Sequence, residues 1–435
     1  MAEFFLKYGD GRIPIRFPDR NLEQFVEVSG EETAAPGENI VRERLARPLN
    51  AQVAEKVCAG RKVLLLVNDS TRKLPYPLII KELGAALRKC AELRLLMCTG
   101  THQAETPGNR EIVRLLKESL AAADVSHFSI HIHDARQGEF LNAGVTKFGT
   151  RVRVNSLAGW ADAFMVISDM KNHYFAGYSN ILKNFLPGMC ALSSVEKNHS
   201  LALHPRAAFG RHPWHPDSSR RDNPLAKDML EAYELIRQER PVWAVVIITK
   251  GDHILWCGAG DPQSVSRAAM VEVDRRMSRE IRPADALILG CGGYPNDESL
   301  YISQRALELN QAAVRPGGRV LFLAECRNGI GPPASRKNFF DLLQGDLEEV
   351  LRIIEQKYVM YSHKAYKFAR MITNLGFLGM TSKLSANLVA SIHLTPVADP
   401  QRQVEEWLSE NPDLKINVVA DGNKIALHAG NSGAV

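Results

Sequence analysis

Unbroken apolar runs alternate with segments of helical periodicity along most of the chain. RKVLLLVND (61–69) is a Val/Leu run that ends in polar residues, and LIIKELGAALRKCA (78–91) follows with apolar positions at helical spacing. ELRLLMCTG (92–100) and REIVRLLKESLAAA (110–123) repeat the pair. AFMVISDM (163–170) and WAVVIITKG (243–251) read as further strands. A second series holds ADALILGCGGYP, LYISQRALELNQAA, RPGGRVLFLAEC, LEEVLRIIEQKY, HKAYKFARMI and LKINVVADG. Continuous rather than alternating Val/Ile/Leu runs predict parallel strands covered on both faces, and strand–helix alternation predicts an α/β architecture.

Two α/β domains with mostly parallel sheets are expected. The division is placed in GAGDPQSVSRAA, giving 1–265 and 266–435, with the C-terminal end packing back on the first domain and the active site in the inter-domain cleft. Length and composition agree, since 435 residues at 45% apolar content suffice for two or three domains.

Charge narrows the function classes. The formal net charge is +5 with 24% charged residues, and Lys and Arg form no basic arm, so nucleic acid is not an expected partner. SSRRD (218–222) reads as a surface loop. No run approaches the ~18 apolar residues of a membrane span. The N-terminus is charged from residue 3 and lacks the apolar core of a secretory signal. Seven scattered cysteines with no CxxC pair suggest free thiols in a reducing cytoplasm, not a disulfide framework or a thiolate zinc site.

Ligands of open α/β sheets sit beyond the carboxyl ends of the strands. Four strand ends carry unusual polar residues: NDSTR (68–72), CTGTH (98–102), DMKNH (169–173) and GCGGYPND (290–297). Asp69, Ser70 and Thr71 can cap the next helix, or can meet an anion with Arg72 as a bidentate clamp. His102 stands in a glycine turn, as a solvated loop residue or as a general acid–base. Lys183 lies among Leu182, Phe185 and Leu186, where a lysine either snorkels or has its amine desolvated for covalent chemistry. His173 and His199 bracket it, and one protein histidine makes a weak metal site unless a cofactor supplies the other donors. HIH (131–133) reads as an edge strand rather than a metal pair, and RHPWHP (211–216) as a loop without a role. GCGGYP lacks GxGxxG spacing, and no GxxxxGK[ST] exists, so standard dinucleotide and P-loop sites are not indicated.

Taken in order, NDSTR, TGTH, HYFAGYSNILKNFLPG, KNHSLALHP and GGYPNDESLY resemble the motifs of the nickel-dependent lactate racemase family. The resemblance spans about residues 8 to 425. It implies a nickel pincer nucleotide (a pyridinium mononucleotide with two sulfur-bearing arms) tethered covalently at Lys183, with His199 as the protein ligand to nickel. It implies inversion at C2 of a 2-hydroxy acid by reversible hydride transfer, with His102 and His173 as alternating acid and base. It further implies Arg72 as the carboxylate clamp, and Asp69, Ser70, Thr71, Ser179, Gly293 and Tyr294 as cofactor contacts. Enzymes that make the cofactor would be partners.

The sequence departs from the family pattern where Ile302 and Arg305 replace a glutamine and a lysine, and where His363 stands at a tryptophan. With Tyr301 these line the implied substrate side. Lactate itself is therefore not the expected substrate; malate, a longer aliphatic or aryl hydroxy acid, or a sugar acid are. Two other classes fit the residues alone. One is a metal hydrolase using His102, His173 and His199; the other is a non-catalytic protein binding an anionic nucleotide through NDSTR and GGYP. The chain carries no signal of oligomeric state.

Overall fold

A computed structural model describes residues 1–28 and 37–430. The chain forms two compact units, 31–274 and 1–30 with 275–435. The expected division after 265 falls inside the helix Pro262–Met277.

The 31–274 unit is built on six strands. Their order across the sheet is His253–Gly260, Val242–Lys250, Ala163–Asp169, Lys62–Asn68, Glu92–Cys98 and Phe128–Ile132. All neighbours are parallel except the first pair. Val63 to Val67 are fully buried, which is why this strand reads as an unbroken apolar run. Tyr76, Ile79, Ile80 and Leu83 of the helix Tyr76–Leu87 pack on it in one core with Leu116 and Leu120 of the helix Pro107–Ala122. The latter helix starts where Thr106 accepts from Asn109 N–H and Pro107 takes the first turn.

Chain order fixes a switch point in this sheet. From Lys62–Asn68 the chain winds outward to Glu92–Cys98 and Phe128–Ile132. It then returns to the other side of the first strand with Ala163–Asp169 and Val242–Lys250. The crevice therefore opens between the carboxyl ends of Lys62–Asn68 and Ala163–Asp169.

The other unit holds a second parallel sheet, ordered Thr395–Pro396, Phe377–Thr381, Val314–Leu323, Ala284–Gly290, Ile416–Val419 and Leu22–Val26. Its last strand corrects the expected domain content. Residues 1–28 do not join the N-terminal domain; Phe25 pairs with Val418, and Phe4, Leu6, Ile15 and Phe17 enter the core around Ile288, Leu321 and Trp407. The strand Ala426–Ala429 pairs with Ser278–Ile281 of the same unit. Among the described residues no helix is long and apolar enough to cross a membrane. The seven cysteines are free.

HIH ends the edge strand Phe128–Ile132, as expected, and its two histidines part company. His131 is exposed beside Ser129 Oγ, whereas His133 is buried with Nε2 donating to Cys190 O at 3.0 Å. Burial pushes the His133 pKa down to about 4, partly offset by the Cys190 bond and by Asp134. The unfolded chain takes up this proton near pH 6.5 and the folded chain only near 4. The contribution is therefore fully present above 6.5 and lost as pH falls through that window. It amounts to about 3 kcal/mol. We expect His133→Gln, which keeps a donor for Cys190 O and does not titrate, to flatten the fall in urea midpoint between pH 6.5 and 4.5. An unchanged pH slope would show that this imidazole is not the responsible group.

Candidate functional site

The site is assembled at the switch point. Asn68 and Asp169 end the two strands that flank it, and Asn68 Nδ2 donates to Asp169 Oδ1 at 3.1 Å. Asp169 is the hub of the charge pattern. It also accepts from Ser179 Oγ at 3.0 Å and pairs with Arg72 Nε at 3.3 Å and Lys171 Nζ at 3.4 Å. Burial opposes ionisation of Asp169, but Lys171, Arg72 and Ser179 outweigh it and hold its pKa below the usual carboxylate range. Sequence reasoning had noticed DMKNH but given Asp169 no role.

NDSTR does not cap the following helix, which begins after Pro75 with no side-chain cap. Instead Asp69 organises its own loop. Its Oδ1 accepts from Thr71 Oγ1 at 2.5 Å and Thr71 N–H at 3.1 Å, and its Oδ2 faces His102 Nδ1 at 2.6 Å. A carboxylate can only accept, so His102 carries its proton on Nδ1 and presents Nε2 as the basic nitrogen. Asp69 is buried, which raises its pKa, yet the bond to His102, with Thr71 and Arg72, brings it below the ordinary value. Ser70 N–H donates to Asn109 Oδ1 at 3.0 Å.

The HYFAGYSNILKNFLPG segment is tied to the same place. Gly100, at φ +57°, lets the His102 turn approach Pro187, and its N–H donates to Gly188 O at 3.2 Å. Asn184 Nδ2 donates to Asn68 Oδ1 at 2.7 Å, fixing the short helix Leu182–Phe185 on the strand end. Lys183 is half-buried while Ile181, Leu182, Phe185 and Leu186 are fully buried. Its stem is thus packed and its amine directed along the apolar wall, 5.9 Å from the Phe175 ring centroid.

Phe175 also packs edge-on against His173 at 4.5 Å and His199 at 5.3 Å. One ring therefore separates the two histidines and the lysine that the sequence singled out. His173 Nδ1 accepts from Ala176 N–H at 3.3 Å, and its ring stacks on Tyr174. His199 is buried on the helix Leu192–Ser200; burial, then the Lys183 charge, pushes its pKa down to about 3. It is a neutral imidazole, the form that binds a metal. Its neighbour Asn198 donates to buried Asp228 Oδ2 at 2.8 Å, and Asp228 also accepts from Thr146 and Thr150. Among the described residues no three His, Cys, Asp or Glu side chains gather as a metal site.

Tyr301, Arg305, His363, Gly293 and Tyr294 belong to the other unit. Tyr301 and Arg305 lie one turn apart on the helix Leu300–Asn310, and His363 starts the helix Ser362–Asn374, held by Tyr358 Oη at 2.7 Å from Nδ1. Gly293, at φ +71°, turns the chain so that Tyr294 N–H donates to Gly9 O at 2.9 Å. Arg327 lies over the half-exposed Tyr294 ring. The residue missed here is Lys364. It is buried, its Nζ donates to Tyr301 O at 2.8 Å, and it stands 4.0 Å over the Tyr301 ring. Burial, offset by Glu308 and reinforced by Arg305, pushes its pKa down to about 7.

A family model described as the lactate racemase N-terminal domain matches residues 8–210, and one described as the lactate racemase C-terminal domain matches 279–427. A lactate racemase of Thermoanaerobacterium thermosaccharolyticum is 24% identical, over 97% of this chain and 98% of its own length. That of Lactiplantibacillus plantarum is 23% identical, over 88% and 89%. The solved lactate racemase apoprotein of T. thermosaccharolyticum shares the fold at a TM-score of 0.84, 23% identity, and 98% and 100% coverage. A Thermotoga maritima protein does so at 0.62, 15% identity, and 90% and 98% coverage.

If Asp169 is the hub, Asp169→Asn removes the charge that Arg72 and Lys171 both face and leaves a neutral amide in its place. We expect a loss of about 3 kcal/mol in urea unfolding at pH 7. A change below about 0.5 kcal/mol, the size of an ordinary surface substitution, would remove Asp169 from that position.

Proposed function

This chain belongs to the lactate racemase family, and from that premise we propose that it is a racemase or epimerase inverting the hydroxyl-bearing C2 of a 2-hydroxy acid. The observation that carries the reading is the arrangement around Phe175. A half-buried lysine, a neutral buried histidine and a second histidine share that ring, and the carboxylate-held His102 stands beyond the end of Glu92–Cys98, one strand further along the same sheet.

These residues fit the nickel pincer nucleotide that the family pattern implies. Lys183 offers a packed amine for the covalent tether, and His199 a neutral nitrogen for nickel, with the remaining donors coming from the cofactor's sulfur and carbon. When bound, the group supplies a reversible hydride acceptor for C2. NDSTR, Gly293 and Tyr294 are proposed as further cofactor contacts; Ser179 Oγ, already given to Asp169, acts by holding that carboxylate.

The chain's own work is proton transfer and orientation. His102 Nε2 takes the hydroxyl proton of one enantiomer, and the Asp69 carboxylate stabilises the imidazolium that results. His173 does the same for the other enantiomer, and each histidine returns a proton when the opposite hand forms. Arg72, steadied at Nε by Asp169, takes the substrate carboxylate. The substrate is proposed to be larger than lactate. Ile302 suits an apolar extension, and Arg305, His363 and Lys364 suit a polar one. The hydrolase alternative is disfavoured because no three of the candidate ligands converge among the described residues.

Two outcomes are expected. Protein co-expressed with the cofactor-making enzymes should gain mass on the peptide that contains Lys183, and Lys183→Ala should lose that mass; an unmodified peptide would sink the cofactor assignment. Asp69→Asn should lower kcat/KM by on the order of 10²-fold. For a substrate with a single stereocentre the equilibrium constant is one, so both directions must fall by the same factor. Activity across a panel of 2-hydroxy acids that is unchanged by Asp69→Asn would exclude His102 as a carboxylate-assisted base.

A further inference from the structure

RHPWHP and SSRRD, the two motifs without a role, lie in the segment 204–223. That segment rests on the hairpin Lys171–His173/Gly177–Ser179, which carries His173. Gly210 N–H donates to Gly177 O at 3.2 Å, and Gly177 is the register partner of His173. Gly177 has φ +80°, and a Cβ there would overlap the Arg211 carbonyl oxygen, so the two backbones touch directly. Asn223 Nδ2 donates to Phe175 O at 2.9 Å and lies 3.2 Å from Arg211 O, tying the far end of the segment to the same turn.

One partly buried carboxylate locks this arrangement. Asp274, on the helix Pro262–Met277, accepts from Tyr178 Oη at 2.7 Å and Arg220 Nη1 at 2.5 Å, and faces His215 Nε2 at 3.2 Å. Arg220 then reaches both partners of the contact. Its Nη2 donates to Tyr178 Oη at 2.8 Å and its Nε to Gly210 O at 2.8 Å. The His215 ring stacks on Tyr178 at 6.1 Å. Burial opposes ionisation of Asp274, but His215, Arg220 and Tyr178 outweigh it and hold its pKa below the carboxylate range.

We infer that Asp274, acting through Arg220 and Tyr178, is a positioning residue that clamps segment 204–223 onto the 171–179 hairpin and thereby fixes His173. The catalytic consequence rests on the role proposed for His173. The need for a clamp follows from size. Each strand of this hairpin has three residues and the pair shares three register positions, too few to hold a side chain by themselves. An acid–base group misplaced by about 1 Å loses much of its effect. Asp274 touches none of the proposed reacting groups; its influence passes through the backbone of Gly177 and the ring of Tyr178.

The test uses cofactor-loaded protein carrying Asp274→Asn. Amide exchange across 171–179 and 208–223 should rise about tenfold while the strand Val242–Lys250 keeps its protection. Turnover should fall about tenfold with KM changed less than about twofold, and Asp274→Glu should restore part of it. Tyr178→Phe removes the hydroxyl and keeps the packed ring, so it should show the same pattern more weakly and decides the matter if Asp274→Asn does not fold. Wild-type exchange in the hairpin of a folded variant, or unchanged turnover, would overturn the clamp. A wild-type enzyme that racemises no 2-hydroxy acid would overturn the role of His173, and the exchange measurement would still judge the clamp.

Discussion

Asn68 and Asp169 end adjacent parallel strands, and the amide of one donates to the carboxylate of the other across the crevice where the winding of the sheet reverses. The supports of Lys183, of the hairpin that carries His173 and of Arg72 run through those two side chains. Asn68 Oδ1 receives Asn184, which seats the helix of Lys183; Asp169 receives Ser179, which anchors the strand after His173, and pairs with Arg72, the proposed carboxylate clamp. A parallel sheet leaves its strand ends splayed and unpaired at such a point. Here the two end side chains close the gap themselves, so the loops that follow start from fixed positions.

Three carboxylates repeat one electrostatic solution. Asp69 is buried and Asp169 and Asp274 are partly buried, and that desolvation alone would push each toward the neutral acid. Each is held ionised by a cation or imidazole and by hydroxyl donors. The cost of burial is offset only when every partner is in place, so each carboxylate reports the correct arrival of several chain segments. Asp228 shows the contrast. Its partners are neutral hydroxyls and an amide, desolvation dominates, and its pKa is raised.

The strand runs of both sheets were legible because burial on both faces forces continuous Val, Ile and Leu, as in Val63 to Val67. The candidate residues of the 31–274 unit stood out in sequence as a histidine in a glycine turn after a strand and a lysine among apolar residues between two histidines. Asp169 and Lys364 did not. An aspartate at a strand end and a lysine in an amphipathic helix are ordinary in sequence, and only the fold makes one a four-partner hub and buries the other on Tyr301. Residues 1–28 were misassigned for a related reason. Their strand pairs with Ile416–Val419, nearly four hundred residues away, and local pattern carries no trace of such a partner.

Histidine illustrates how far environment, rather than residue type, sets the chemistry of this unit. His102 is half exposed, with Nδ1 bonded to the Asp69 carboxylate and Nε2 left as the nitrogen without the proton. His199 is enclosed, beside a lysine, with its pKa pushed down to about 3, so it stays neutral. His133 is enclosed as well, but spends its Nε2 proton on a carbonyl, which leaves it a structural donor. His173 sits on the short hairpin Lys171–His173/Gly177–Ser179, with its Nδ1 turned toward a backbone N–H. Where that ring stands depends on how the hairpin is held, and through Tyr178 of the same hairpin a carboxylate as remote in sequence as Asp274 bears on the same site.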